Sequence, residues 1–349
     1  MEKRLTLIVP AYNMEAYLPI CLASVELPSE SMQFLEIIVV NDGSSDRTSE
    51  IAHAFADKYP ESVRVIDKPN GNYGSCINAA LPLARGLFVK LLDADDTFDT
   101  DVLLKFLEFL RPNGDSTPDL VLTDYVIVCG SGQVTQRVVL PFKPYENFSI
   151  DEFLSSSPVL MHGLTYRTEM LRVLHYRQLE GVSYTDQEWM LLPLAGVQCV
   201  RRFPQVLYRY LLGREGQTMN LKKVADSWWM CADIVLDLVK VLPQMISGSS
   251  PSVVQHLERR IAVLASDVYR GCLFGVFCQS LRARDFDLDG FDRCLATASP
   301  RLYAACAEVP YSRRIPYRFV RAWRRRVWWR GICSVFCRTY TLLVRLVCA

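Results

Sequence analysis

Apolar and polar positions alternate in blocks along the first part of the chain, and the blocks read in turn as strands and helices. Leu5–Val9 is a β-rich apolar run closed by Pro10; Glu15–Val25 then places Tyr17, Leu18, Cys21, Leu22 and Val25 at helical spacing. Leu35–Val40 is a second β-branched run, and the turn Asn41–Ser45 leads into a helix over Asp46–Tyr59. Val63–Ile66, the Gly/Asn loop Asn70–Gly74, a helix over Ser75–Ala84 and a fourth strand over Phe88–Leu92 continue the series. Strands without polar alternation are buried on both faces. The pattern therefore predicts an α/β fold: a Rossmann-like, mostly parallel sheet with helices on both faces.

From Asp119 the pattern changes. Leu120–Val128 and Gln133–Leu140 flank Cys129–Gly132 as a hairpin, and short helices are expected at Ile150–Ser155, Thr168–Leu174 and Asp186–Leu194. Val197–Arg201 and Val206–Tyr210 read as two late strands. Val224–Ile246 and Pro251–Ser280 are helical, joined by the Ser/Gly linker Ser247–Pro251. The expected organisation is an α/β body over 1–218, an α-helical C-terminal region over 219–300 and a tail over 301–349.

Charge sharpens that division. The net charge of the 349-residue chain is +1, but residues 301–349 hold eleven Arg, no Lys and a single acid, Glu308, which leaves the preceding 300 residues at −9. The tail also carries Trp323, Trp328, Trp329 and Phe336, while Arg330, Arg338 and Arg345 interrupt every run long enough to span a bilayer. A basic, Trp-rich amphipathic segment suits an anionic membrane surface, with docking on the acidic body as the alternative. No recognised nucleic-acid-binding motif is present, so no nucleic-acid partner is expected. The twelve cysteines are scattered without a C-x-x-C pair, which suits free thiols in a reducing cytoplasm. Lys3 and Arg4 before an apolar run mimic a leader, but Pro10, Asn13 and Glu15 break it, and the run reads as a first strand.

The candidate chemistry lies where strands end. Phe88–Leu92 runs directly into Asp93, Asp95 and Asp96; Asn41-Asp42-Gly43-Ser44-Ser45 follows the second strand, and Pro10-Ala11-Tyr12-Asn13 the first. Open α/β sheets bind ligands at these carboxyl ends. Carboxylates there are hard ligands for Mg²⁺ or Mn²⁺, and Asp42 is a potential acceptor for a base or ribose. Each loop taken alone is also an ordinary turn into a helix cap. The D-x-D spacing recurs at Asp285-Phe-Asp287-Leu-Asp289, which mimics an EF-hand loop but has Ala296 where the bidentate Glu belongs, and it reads as a surface turn.

Taken in order, VPAYN, IIVVNDGSSDRT, the Asn/Gly/Ser run Asn72–Asn78 and LLDADD resemble the inverting family 2 glycosyltransferases of GT-A fold, over about residues 4–215. The resemblance implies a nucleotide-sugar donor, most often UDP-linked, and a glycan or lipid-linked acceptor. Among the motif residues it implies donor contacts at Pro10, Ala11, Tyr12, Asn13, Asp42, Gly43, Lys68, Asn72, Gly74, Asp93 and Ala94, and a divalent metal, Mn²⁺ or Mg²⁺, on Asp95. Family 2 enzymes take their catalytic base from an acid downstream of the D-x-D, which here implies Asp186, with Glu188 second. Tyr208–Thr218 resembles the Y-x-x-GR-x-GQS segment of bacterial members that build surface polysaccharides, implying donor contacts at Arg214 and Gln217. His162 is a further candidate, for the acceptor. The expected protein is peripheral, in the cytoplasm on the inner face of the plasma membrane. The competing readings are a catalytically silent nucleotide-sugar-binding scaffold, and a nucleotidyltransferase, which would want a Gly-rich phosphate loop after the first strand.

Overall fold

Burial of the first strands on both sides follows from what covers them. The computed structural model describes residues 2–111, 117–130, 132–156, 159–214, 229–274, 286–312 and 314–326. It divides into two compact units, Met1–Gln217 with Met245–Val253, and Thr218–Gln244 with Val254–Ala349.

Among the described residues the first unit carries ten strands: β1 (Leu5–Ala11), β2 (Leu35–Asn41), β3 (Val63–Asp67), β4 (Phe88–Leu91), β5 (Thr97–Phe98), β6 (Leu120–Val128), β7 (Val134–Val138), β8 (Asn147–Ser149), β9 (Leu164–Arg167) and β10 (Cys199–Leu211). Its helices are α1 (Leu18–Ser24), α2 (Ser29–Met32), α3 (Thr48–Lys58), α4 (Asn72–Ala80), α5 (Thr100–Phe109), α6 (Ile150–Leu154), α7 (Thr168–Val173) and α8 (Asp186–Leu191). The sheet order is β3-β2-β1-β4-β9-β6-β10-β5, with β7 on β6 and β8 on β10. The first four strands in this order are mutually parallel, and β9 enters antiparallel to both β4 and β6. Leu5, Leu7 and Val9 pack with Leu18 and Leu22 of α1 and with Leu103 and Phe106 of α5. The alternate residues Ile8, Ile38 and Val40 are fully buried on the other face, which α4 covers.

Several boundaries differ from expectation, each for a local reason. The two late strands are one, β10, whose register against β6 slips between Phe203 and Val206; Pro204 removes a ladder donor there without ending the strand. The helix from Asp186 stops at Leu191 and tightens into a 3₁₀ turn over Leu192–Gly196, because Pro193 cannot extend an α-helix. The helix expected from Ser75 begins at Asn72. β5, β8 and β9 are two to four residues long, too short for a periodic signal, yet β9 lies in the middle of the sheet.

The second unit contains α9 (Met230–Met245), α10 (Pro251–Phe274), α11 (Leu288–Ala298), α12 (Pro300–Glu308) and α13 (Phe319–Arg324). Asp287 is the N-cap of α11, accepting from Gly290 N at 2.7 Å, so this repeat of the D-x-D spacing starts a helix rather than forming a surface turn. The described start of the basic tail is folded within its own unit. Arg324 donates to Asp292 at 2.7 Å and to Tyr269 at 2.9 Å and lies 3.4 Å over the Tyr303 ring. Arg318 and Arg321 pair with Glu308, Arg326 pairs with Asp289, and Phe319 and Val320 are buried. Among the described residues no helix is long and apolar enough to cross a membrane, and the described cysteines are free thiols. Residues 327–349 lie outside the described part.

Candidate active site

The parallel strands bring the loops after β1, β2, β3 and β4 to one edge. Backbone bonds hold them in step: Asp42 N donates to Ala11 O at 2.9 Å, Lys68 N to Asn41 O at 3.1 Å and Leu92 N to Ile8 O at 3.0 Å. The first two loops are also stitched through side chains. Asn13, at φ +52°, donates from N to Ser44 Oγ at 3.0 Å and accepts from Ser45 N at 2.9 Å. Beside them Ala11 is buried, Pro10 half-buried, and Tyr12 presents a ring 49% exposed.

Asp42 is buried, and its Oδ1 accepts from Lys68 Nζ at 2.7 Å and from Gly71 N at 2.9 Å. Lys68 Nζ also donates to Pro69 O and Ser75 Oγ. The ammonium thus ties the second-strand loop to the start of α4. Gly43, at φ +73°, passes so close that a Cβ would sit 2.9 Å from Asn70 N. Gly74 abuts Leu179 even more tightly, and Asn72 holds φ +63° at the first turn of α4. Asp42, Gly43, Lys68, Asn72 and Gly74 therefore form one continuous rim.

The acidic turn follows β4. Asp93 Oδ1 accepts from Tyr73 OH at 2.8 Å, while Asp93 N donates to Tyr208 OH at 3.2 Å. Asp96 is almost fully buried, and its two oxygens accept from Tyr208 OH and Leu211 N, each at 2.7 Å. Asp95 forms an ion pair with Arg214, whose guanidinium lies 5.2 Å from the Tyr17 ring centre. Ala94 is buried between them in sequence. Burial first, then repulsion from Asp95 and Asp186, pushes the Asp93 carboxyl up to about 7. Burial and the neighbouring aspartates push Asp96 well above the ordinary carboxylate range.

Asp186 opens α8, and its charge raises the Tyr73 hydroxyl as well as Asp93, which places it at the same acidic cluster. Burial lifts Asp186 itself to about 6, against the opposing pull of hydrogen bonds from the helix start. Glu188 is brought to a different place. It is fully buried and accepts from Leu179 N at 2.8 Å, so it anchors the 178–180 segment against α8. His162 is buried as well, stacked on Tyr210 at 4.3 Å and edge-on to Tyr208 at 4.7 Å. Its Nδ1 has no hydrogen-bond partner, and burial pulls the ring down to about 3, so it is neutral. A ring nitrogen of His162 and oxygens of Asp93 and Asp96 fall within 4.8 Å of one another. Gln217 lies outside the described residues.

Sequence reasoning missed Tyr73, Tyr208 and Lys90. Lys90 is fully buried on β4 and donates to the backbone of His162 at 2.7 Å and Leu164 at 3.2 Å; burial lowers its ammonium to about 7. A lysine inside an apolar strand was the available signal, since a buried charge demands a partner. Both tyrosines stand inside stretches already singled out, but only the fold aims their hydroxyls at Asp93 and Asp96.

A carboxylate-rich cleft at the carboxyl edge of a parallel sheet is the architecture of a nucleotide-binding α/β enzyme. Residues 6–168 match the family described as glycosyl transferase family 2. A crystal structure of S. aureus TarS 1–349 in complex with UDP-GlcNAc superposes with a TM-score of 0.65 at 19% identity, covering 93% of each chain. Among curated relatives, chondroitin synthase of Pasteurella multocida is 36% identical over 107 residues, 30% of this chain and 11% of that protein. An uncharacterized glycosyltransferase of Mycoplasma pneumoniae, the MG060 homolog, is 26% identical over 300 residues, covering 82% of this chain and 91% of its own. The chain spans between 11% and 35% of the length of the first curated relatives it matches. Residues 6–168 thus carry the similarity to glycosyl transferase family 2, and the fold is similar to that of TarS over most of the chain.

The raised Asp93 carboxyl has a consequence for stability. An unfolded aspartate titrates near 3.9. Between about pH 4 and pH 7 the folded chain thus holds a proton that the unfolded chain has released. Stability from this group is greatest at the acid end and declines as pH rises to 7. Asp186 acts in the same direction up to about pH 6. Without added nucleotide or metal, the melting temperature of the wild type should fall more steeply from pH 5 to pH 8 than that of Asp93→Asn. Parallel curves in a thermal-shift series would remove this assignment.

Proposed function

We propose that the chain transfers a sugar, with inversion, from a nucleotide-sugar donor, UDP-linked in the first instance, to a glycan or lipid-linked acceptor in surface polysaccharide synthesis. The observation that carries this reading is the convergence of Asp186 with the Asp93–Asp96 turn, beside the rim built on Asp42. Asp42, Gly43 and the Tyr12 ring receive the base and ribose. Asp93, held by Tyr73, serves the ribose on the side nearer the reacting carbon. Arg214 lies next to the diphosphate position and supplies positive charge as the leaving group departs.

Asp186 takes the proton of the acceptor hydroxyl. The freed oxygen forms its bond to the anomeric carbon from the face opposite the diphosphate, and the bond to the diphosphate breaks with its electron pair leaving on oxygen. A half-buried carboxyl near 6 is largely ionised at neutral pH, yet a better base than an exposed aspartate. Glu188 keeps α8 against the 178–180 segment and takes no proton.

The residues present fit a divalent cation. The turn concentrates three carboxylates, and Asp95 already draws a positive partner, Arg214. Asp95, with Asp93 beside it, would hold Mn²⁺ or Mg²⁺ there. Such an ion supplies fixed positive charge to a diphosphate leaving group. Asp95 would then be shared between Arg214 and the ion, which would leave the guanidinium able to contact the donor diphosphate.

The tail is proposed to hold the protein on the inner face of an anionic membrane. Because Arg318, Arg321, Arg324 and Arg326 are paired within the helical unit, the charge for that role comes from Arg330, Arg338 and Arg345 further on.

Two outcomes test these assignments. Asp186→Asn should lower transfer about 10²- to 10⁴-fold while UDP-sugar affinity by calorimetry stays unchanged, and the wild-type rate should fall below about pH 6 as the base protonates. Full activity in that variant removes the base. For the tail, replacing Arg330, Arg338 and Arg345 together by Ser should abolish co-sedimentation of the full chain with phosphatidylglycerol vesicles; undiminished binding refutes the anchor.

A further inference from the structure

Alternate residues of a strand point the same way, and the last register slip of β10 lies before Tyr208, so Tyr208 and Tyr210 share one face. The His162 ring meets both. It stands edge-on to Tyr208 at 4.7 Å and stacks on Tyr210 at 4.3 Å, with 26° between the planes. A ring nitrogen of His162 and oxygens of Asp93 and Asp96 lie within 4.8 Å of one another, which sets the stacked pair against the acidic turn. From behind, the Lys90 ammonium holds the His162 carbonyl at 2.7 Å.

The donors of this region are unevenly spent. Tyr73 OH goes to Asp93, Tyr208 OH to Asp96, and the Arg214 guanidinium to Asp95. Tyr210 is half-buried, yet its hydroxyl makes no hydrogen bond among the described residues. Burial, then the charges of Asp96, Asp93, Asp95 and Asp186, push that hydroxyl up to about 12, so it keeps its proton and remains a donor. Ionised carboxylates only accept. A hexose presents hydroxyl oxygens as well as hydroxyl protons, so a cleft walled by aspartates serves the protons and still lacks a donor for the oxygens. In the transfer reading, Asp186 and the Asp95–Arg214 pair stand on opposite sides of the anomeric carbon. A side chain that feels both Asp95 and Asp186 therefore lies alongside the sugar between them.

We propose that Tyr210 is a specificity-determining residue for the sugar of the donor. Its hydroxyl donates to one hydroxyl oxygen of the hexose, and His162, stacked on its ring, is the positioning residue that fixes where the phenol points. The inference rests on the donor reading above and deepens it by naming the group that reads the sugar. A site built to bond a substrate hydroxyl discriminates against the analogue lacking it, because the protein group is then left unpaired. The bond is made to the sugar and not to the nucleotide, so it changes the affinity for a UDP-sugar without changing that for UDP.

Calorimetric titration of the full chain in Mn²⁺, with UDP, UDP-glucose, UDP-galactose and UDP-N-acetylglucosamine as probes, reads this as the ratio of UDP-sugar to UDP affinity. Tyr210→Phe removes the hydroxyl and keeps the ring. It should lower the ratio about five- to tenfold for at least one of the three donors and leave UDP affinity unchanged. Among the mono-deoxy forms of that donor, one should bind Tyr210→Phe and the unaltered chain alike, since the bond is already missing from both complexes. His162→Ala should lower the same ratio, and His162→Phe, which keeps a stacked ring, should restore it. A ratio unmoved by Tyr210→Phe for all three donors, or UDP and UDP-sugar affinities that fall together, would overturn the proposal and leave the donor reading standing. No binding of UDP or of any UDP-sugar by the unaltered chain would overturn both.

Discussion

Like charges held close together at the end of a sheet are the constraint around which the rest of the structure is arranged. Asp93, Asp95, Asp96 and Asp186 share one small region, much of it out of water. At an effective dielectric of about 20, two carboxylates about 5 Å apart repel by roughly 3 kcal/mol. The chain answers this in three ways. Arg214 pairs with Asp95, tyrosine hydroxyls donate to Asp93 and Asp96, and the carboxyls of Asp93, Asp96 and Asp186 are raised, so that they give up their protons less readily than exposed aspartates. Each is a substitute for positive charge, which gives such a site an appetite for a cation and for a donor that carries one.

The same constraint explains why β10 matters more than its sequence suggests. This strand delivers Tyr208 to the turn, donates Leu211 N to Asp96 and then runs on to Arg214. A single buried carboxylate, Asp96, thereby links the acidic turn to the segment bearing the arginine. Burial gives Asp96 a structural duty of longer reach than its place in the turn suggests.

How much was legible in the residues depends on range. The parallel strands β1 to β4 were readable because continuous apolar runs and turn chemistry are local signals, and Asp42, Asp93, Asp95 and Asp186 stood out through the order of the motifs around them, each alone being an ordinary turn or cap residue. What was hidden is tertiary. Nothing in a four-residue stretch such as Leu164–Arg167 announces a central strand, and nothing near Glu188 announces that it is buried against Leu179. The unity of β10 was hidden by Pro204, and the pairing of the tail's first arginines with Glu308, Asp289 and Asp292 by the distance along the chain.

In the proposed reading, the acidic turn and the Asp42 rim together make a cation-assisted site for a nucleotide diphosphate. Calorimetric titration of UDP into the full chain, with Mn²⁺ and then with the metal chelated, tests it most directly. One site per chain is expected, with an affinity that falls at least about tenfold on chelation, the loss of one strong charge contact. Equal affinity with and without metal, or no binding of UDP in either condition, would contradict it.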